Sequence, residues 1–202
     1  MRMKTEQTRQ RIVDAAYQCF WRSGFTRTSI DSIADRAKLT KRTIYSYYQS
    51  KDDLLAAVLN YHNDLAGKRL SHIGDQMPAD PDGMIESFFD QLARWVAASP
   101  RWAGPGFTKL VVELAHLPGH PARSIARRHK ATTETWLAER LSKANVAFPA
   151  ERAREIMLLM EGSMALTLIH GNRTYIDAAK DASRRLIRTS KSLARKKIAS
   201  AR

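Results

Sequence analysis

The chain has 202 residues, 44% of them hydrophobic and 27% charged, with one cysteine and a net charge of +14. This length allows one or two domains with a sizeable core. No apolar run approaches the ~20 residues of a membrane span, the polar start Met1-Arg2-Met3-Lys4-Thr5 is no secretory signal, and a lone cysteine cannot form an internal disulfide. The expectation is a soluble cytoplasmic protein. Its charge is uneven: residues 1–60 hold 11 Lys/Arg against 6 Asp/Glu and residues 181–202 hold 8 against 1, whereas the body between them is almost neutral. A basic head suits a polyanion.

Apolar spacing near 3.6 predicts helix almost throughout, with no strand-like alternation. The first helix is expected over about Thr5–Arg22, with Ile12, Ala16 and Phe20 on one face and Gly24 as its C-terminal cap. Thr28 or Ser29 can cap a second helix whose inner face is Ile30, Ile33, Ala34 and Ala37. Thr40 caps a third, in which Ile44 and Tyr48 point inward. Ser50 with Asp53 resembles a capping box and opens a fourth helix, to about Ile73. The polar stretch Gly74–Gly83 is the clearest break. Further helices are expected over Met84–Ala98, Phe107–His116, Ala122–Asn145, Pro149–His170 and Tyr175–Lys196, with breaks at Ser99-Pro100 and Leu117–Pro121.

The second and third helices, joined by Lys38-Leu39, read as a helix-turn-helix, a unit that sets the start of its second helix against base edges in the major groove. Lys41, Arg42 and Thr43 occupy that start. Tyr45 and Tyr47 fall on the outer face, where hydroxyls can meet phosphate oxygens and Tyr45 can pack on a thymine methyl. Thr28 and Ser29 can offer hydroxyl and backbone N–H groups to a phosphate, and Lys51 can reach the same backbone. A three-helix bundle of another kind would share the spacing. Three tyrosines in four residues between basic side chains argue against it, because a purely structural helix has little reason to expose two of them.

Residues 9–61 resemble the DNA-binding domain of the TetR/AcrR family of repressors. The matching residues are Ile12, Ala15-Ala16, Phe20, Gly24-Phe25, Thr28-Ser29-Ile30, Ile33-Ala34, Ala37, Thr43-Ile44-Tyr45, Lys51 and Leu54-Leu55. The resemblance implies a homodimer with one head per half-site, a C-terminal effector domain, and repression that a small molecule relieves. Two residues depart from the pattern. Lys38 stands where glycine is usual and is strained if its φ is positive. Tyr48 replaces a phenylalanine and brings a hydroxyl to the edge of the core.

Aromatic and sulfur side chains gather in the later helices. Phe88, Trp95, Trp102, Phe107, Met157, Met160 and Met164 are candidates for a mostly apolar effector cavity, each also a plausible core residue. Glu161 lies in the apolar run around Met160 and Met164, so it needs a partner, either a protein cation or a ligand. Glu113, His116 and His120 have ligand-like spacing, but Pro118 and Gly119 break the helix, so helix-end capping is the default and no metal is expected. Leu158, Leu159, Leu166, Leu168 and Ile169 on one helix, and Ala182, Leu186, Ile187 and Leu193 on the next, are apolar faces. By resemblance these two helices form a four-helix dimer interface, and two-fold symmetry then requires a palindromic operator. The basic tail (Arg184, Arg185, Arg188, Lys191, Arg195, Lys196, Lys197 and Arg202) is either a solvated helix end or an auxiliary contact to DNA or an anionic surface.

The expected fold is all-α, with about nine helices: a helix-turn-helix DNA-binding domain over residues 1–50 and an effector-binding and dimerisation domain over residues 51–202. The expected function is sequence-specific transcriptional regulation, as a repressor released from double-stranded palindromic DNA by a small apolar organic effector. The alternative is a DNA-bound structural or cell-division factor without an effector. No cofactor or membrane partner is expected. Enzymatic activity is not expected either, since no nucleophile-elbow or phosphate-loop motif is present and the histidines are scattered.

Overall fold

The computed structural model describes residues 2–98, 102 and 104–200, with side chains for residues 5–98, 102 and 104–189. Nine helices and no strand occur among the described residues: α1 (Arg2–Ser23), α2 (Ile30–Ala37), α3 (Lys41–Tyr45), α4 (Lys51–Gln76), α5 (Pro81–Ala97), α6 (Gly106–Glu113), α7 (Pro121–Lys143), α8 (Pro149–His170) and α9 (Thr174–Ser200). The expected break at Ser99-Pro100 and the side chains of Lys191, Leu193, Arg195, Lys196, Lys197 and Arg202 lie outside what is described.

Local chemistry explains most boundaries. Ser29 Oγ accepts the Ser32 N–H at 3.0 Å and caps α2. At the start of α4, Ser50 Oγ accepts the Asp53 N–H, and the Asp53 carboxylate reaches back to the Gln49 N–H at 3.1 Å. Gly74–Gly83 is not the loop the sequence suggests. Helix α4 runs on to Gln76, Asp80 accepts the Gly83 N–H at 2.8 Å, and Pro81 opens α5. A proline at the first helical position has no N–H to lose, so two prolines in this stretch do not prevent helix on either side. Helix α8 begins at Pro149 and ends at His170 as expected, closed by Gly171 at φ 64.

Two compact units divide the chain: residues 1–66 with 106–129, and residues 67–105 with 130–202. This differs from the expected boundary between residues 50 and 51. Leu54, Leu55, Val58 and Leu59 of α4 pack into the same core as Ile12, Phe20, Ile33 and Ile44, as do Phe107, Leu110 and Leu114 of α6 and its following turn. The apolar face of α4 therefore completes the head. Gly106 lets α6 approach α1, because a Cβ there would lie 1.6 Å from the Trp21 ring.

The second unit has its own core, including Ile85, Phe89, Leu137, Leu141, Ile156 and Ile176. Salt bridges reinforce the packing of α9 on α5. Lys180 pairs with Asp90 at 2.9 Å, while Arg184 and Arg188 both reach Asp82, at 3.3 and 2.8 Å. Two arginines of the basic tail thus hold a carboxylate of their own chain.

Candidate nucleic-acid interface

Helix α3 is a short rod fixed at three points. Thr40 Oγ1 accepts the Thr43 N–H at 3.1 Å and caps it. Ile44 is fully buried and anchors it to the core. The Tyr48 N–H still reaches the Ile44 carbonyl at 3.0 Å, so the chain turns helically once more after α3 ends at Tyr45. This anchoring leaves Lys41, Arg42 and Tyr45 outward, with Tyr45 46% exposed. Thr43 is half-buried, its hydroxyl 2.8 Å from that of Thr40.

Tyr47 and Tyr48 follow in the turn rather than on the helix. Tyr47 is half-buried, and the Arg9 guanidinium sits 5.7 Å from both ring centroids. Tyr48 is buried, which pushes its phenol pKa up, against the opposing pull of Arg9. Lys41 pairs with Asp31 at 2.9 Å, both side chains being over half exposed; this hydrogen bond raises the lysine pKa. Such a surface pair is readily exchanged for a phosphate.

Lys38 does adopt the left-handed conformation, φ 54 and ψ 48. Its N–H reaches the Asp35 carbonyl at 3.1 Å and the Leu39 N–H reaches Ala34 at 3.0 Å, the paired bonds that close a helix through a left-handed residue. A lysine here costs about 1–2 kcal/mol in local strain, offset in part by the chain entropy that glycine would lose. Lys38→Gly is therefore expected to stabilise the protein by about 0.5–1 kcal/mol, read as a higher urea midpoint at unchanged slope.

Two residues expected to contact phosphate are engaged within the head. Thr28 is 3% exposed and its hydroxyl donates to the Gly24 carbonyl at 2.6 Å, so it locks the loop before α2 and has no free face for a ligand. The half-buried Lys51 donates to the carbonyls of Phe25 and Thr28, each at 3.1 Å, and lies 4.3 Å over the Phe25 ring. The first turn of α4 abuts this loop, whose carbonyls take up the ammonium. Ser29 is exposed as expected, although its oxygen is already an acceptor within the cap.

Sequence reasoning missed what holds the loop from its other side. Glu113, at the end of α6, accepts the N–H groups of Phe25 and Thr26 at 2.8 and 2.6 Å. Burial acts to raise its pKa, but the Thr26 and Phe25 hydrogen bonds and nearby Lys109 outweigh it and hold the carboxyl below its ordinary range. Gly24 at φ +83 is required here twice over: for its backbone angle, and because a Cβ would meet Glu113 Oε2 at 2.8 Å. His116 is exposed, while buried His120 accepts the Ala122 N–H and lies 3.6 Å from Asp52, so the three ligand-like residues serve separate places.

A depressed folded pKa adds stability that is complete above the unfolded value of ~4.3 and lost as pH falls through the folded one. Wild type is therefore expected to exceed Glu113→Gln by about 1–2 kcal/mol near neutral pH. The gap should close in acid below the unfolded pKa, which denaturant titrations at a series of pH values would measure.

In the second unit Phe88, Met157, Met160 and Met164 are buried together, and Trp95 meets Trp102 edge-on at 6.1 Å. Phe107 is the exception among the effector candidates. It belongs to the core of the head and stacks on His129 at 3.9 Å. Glu161 pairs with Lys130, both half-buried, so a protein cation answers its charge. Among the described residues the indole N–H groups of Trp102 and Trp136 and the hydroxyl of Thr167 are buried without a hydrogen-bond partner. Along α8, Leu158 (69%), Leu166 (40%) and Ile169 (71%) are exposed at helical spacing. Ile187 of α9 is buried in its own unit and turns away from that face.

Residues 12–58 match the sequence profile of "Bacterial regulatory proteins, tetR family". The HTH-type transcriptional repressor SCO4008 of Streptomyces coelicolor is 34% identical over 128 residues, 60% of this chain and 62% of that protein. The HTH-type transcriptional regulator TtgR of Pseudomonas putida is 28% identical over 117 residues, covering 56% and 51%. The matches thus span less than two thirds of these relatives. Among solved structures, the reduced form of NemR from E. coli superposes with a TM-score of 0.79 at 19% identity, covering 88% of this chain and 95% of that one. SCO4454 of Streptomyces coelicolor, a TetR-family transcriptional regulator, gives 0.81 at 21%, covering 92% and 96%. At such identities the likeness is one of fold.

Proposed function

The chain belongs to the TetR family of bacterial regulatory proteins, and on that premise we propose that it is a sequence-specific transcriptional repressor that a small organic effector releases from a palindromic operator. One observation carries the reading. Ile44 and the Thr40 cap fix a rod whose outward side chains are Lys41, Arg42 and Tyr45, the residue types that read guanine edges, phosphates and thymine methyls. Residues 1–50, whose core the first turns of α4 and α6 complete, are the DNA-binding part in this reading, and the second unit serves the effector and the dimer. The exposed apolar stripe of α8, which a second copy would cover, supports the dimer.

The effector site draws on Phe88, Trp95, Trp102, Met157, Met160 and Met164, without Phe107. Unpartnered donors at Trp102, Trp136 and Thr167 favour a flat, mainly apolar compound that offers hydrogen-bond acceptors. A coupling of roughly 1–3 kcal/mol would change operator affinity about five- to 150-fold.

Selection of duplexes from random sequence, followed by a gel shift against the promoter of its own gene, tests the reading. Recovery of an inverted repeat that the promoter contains supports it. Binding indifferent to sequence would instead favour a DNA-bound structural factor, and no binding at low salt would end both readings.

A further inference from the structure

Lys51, expected to grip the DNA backbone, donates to two loop carbonyls within the head, and Lys41 is paired at the surface with Asp31. Arginines elsewhere on the head are placed for that work. A half-open pocket of ≈ 380 Å³ lies between α1 and α2, lined by Arg22, Arg27, Arg36, Ser29, Gln18 and Cys19 among others. Three guanidinium groups line it and no carboxylate does. Arg36 Nη1 donates to Gln18 Oε1 at 2.6 Å and Arg27 Nε to the Ser23 carbonyl at 3.1 Å. Each bond uses one N–H of a group that has five and fixes the orientation of the remainder. Ser29 Oγ accepts the Ser32 N–H and keeps its own proton to donate.

We infer that this pocket seats a phosphodiester of the DNA strand beside the base-reading contact, so that Arg22, Arg27 and Arg36 form a second backbone grip. Like charges crowded into one opening repel until an anion enters. Arginine forks match phosphate oxygens in pairs, which a lysine cannot do. The inference rests on the DNA-binding reading above and adds the place where the backbone is held.

Cys19 is the only cysteine of the chain and sits half-buried in this pocket, so its alkylation by iodoacetamide reports what occupies it. A saturating duplex selected from random sequence is expected to slow that reaction by about tenfold or more, equivalent to a local opening cost of about 1.4 kcal/mol. The double variant R22Q/R36Q, at two exposed positions on each of two heads, should lower the slope of log affinity against log salt on the full palindrome by about four and weaken all sequences alike. If the duplex binds, as anisotropy reports, yet Cys19 reacts at its free rate and the salt slope is unchanged, the second grip is overturned while the DNA reading stands. If inorganic phosphate alone protects Cys19 as well as the duplex does, the pocket is a small-anion site and the inference also fails. Absence of any duplex binding removes both.

Discussion

Arg42→Ala with Tyr45→Ala lowers affinity for the selected operator by at least about a hundredfold and leaves the unfolding midpoint nearly unchanged. A bidentate arginine–guanine contact is worth about 1–3 kcal/mol of discrimination, and the tyrosine adds a phosphate bond or a thymine-methyl contact. Two such losses on each of two heads exceed that factor. The fold does not depend on either side chain. Both are exposed, and the helix is held by Ile44 and Thr40 instead, so the stability change stays within about 0.5 kcal/mol. Fluorescence anisotropy on the selected duplex and on a scrambled one measures the effect. Loss confined to the selected duplex marks base reading. Equal loss on both would reduce the two residues to backbone contacts, and retained affinity on both would remove α3 from the interface.

Lys51→Ala makes the opposite case. Two loop carbonyls lose their donor and the Phe25 ring loses its cation. The expected result is a stability loss of about 1–2 kcal/mol, with operator affinity following only as far as the loop before α2 loosens.

The helices were legible because their signals are local. Apolar residues at 3.6 spacing, Ser29 and Thr40 as caps, and Pro149 and Gly171 around α8 each act within a turn or two of chain. The core-facing and solvent-facing sides of α3 followed from the same periodicity. What the sequence could not reveal is which distant group satisfies a given polar atom. Glu113 lies 88 residues from Phe25, and no spacing rule connects them. Lys51 in a first helical turn has no local partner, and the carbonyls it reaches lie 26 and 23 residues earlier in the chain. Phe107 illustrates the same limit for apolar groups. Its residue type fits either core, and only the fold decides that α6 packs with the head. Glu161 was half legible: the need for a partner was evident, and the identity of that partner, Lys130, was a tertiary fact.

Leu158→Glu with Ile169→Glu is expected to give a monomer in sedimentation equilibrium and to lower affinity for the full palindrome by a factor of about 10² or more, while binding to an isolated half-site persists. Leu158, Gly162, Ala165, Leu166 and Ile169 are all exposed and fall at helical spacing, so they form one stripe along α8. Single exposed apolar residues are ordinary on a protein surface. A continuous stripe over about three turns is a packing face. Gly162, with nothing within 4 Å of where a Cβ would stand, leaves room at its centre for a second helix to come close. In a two-fold arrangement each substitution appears twice, so the double variant would place four carboxylates in one interface, and desolvation and mutual repulsion both oppose closure. The cost to DNA binding follows from linkage rather than from any lost contact. Joined heads meet the second half-site at an effective concentration in the millimolar range, an advantage of about 10²–10⁴ that vanishes when the subunits separate. Both substituted side chains are over two-thirds exposed, so the monomer itself should stay folded. Circular dichroism would show an intact melt beside the lost dimer. A variant that remained dimeric with full operator affinity would place the subunit contact on some other face of the second unit.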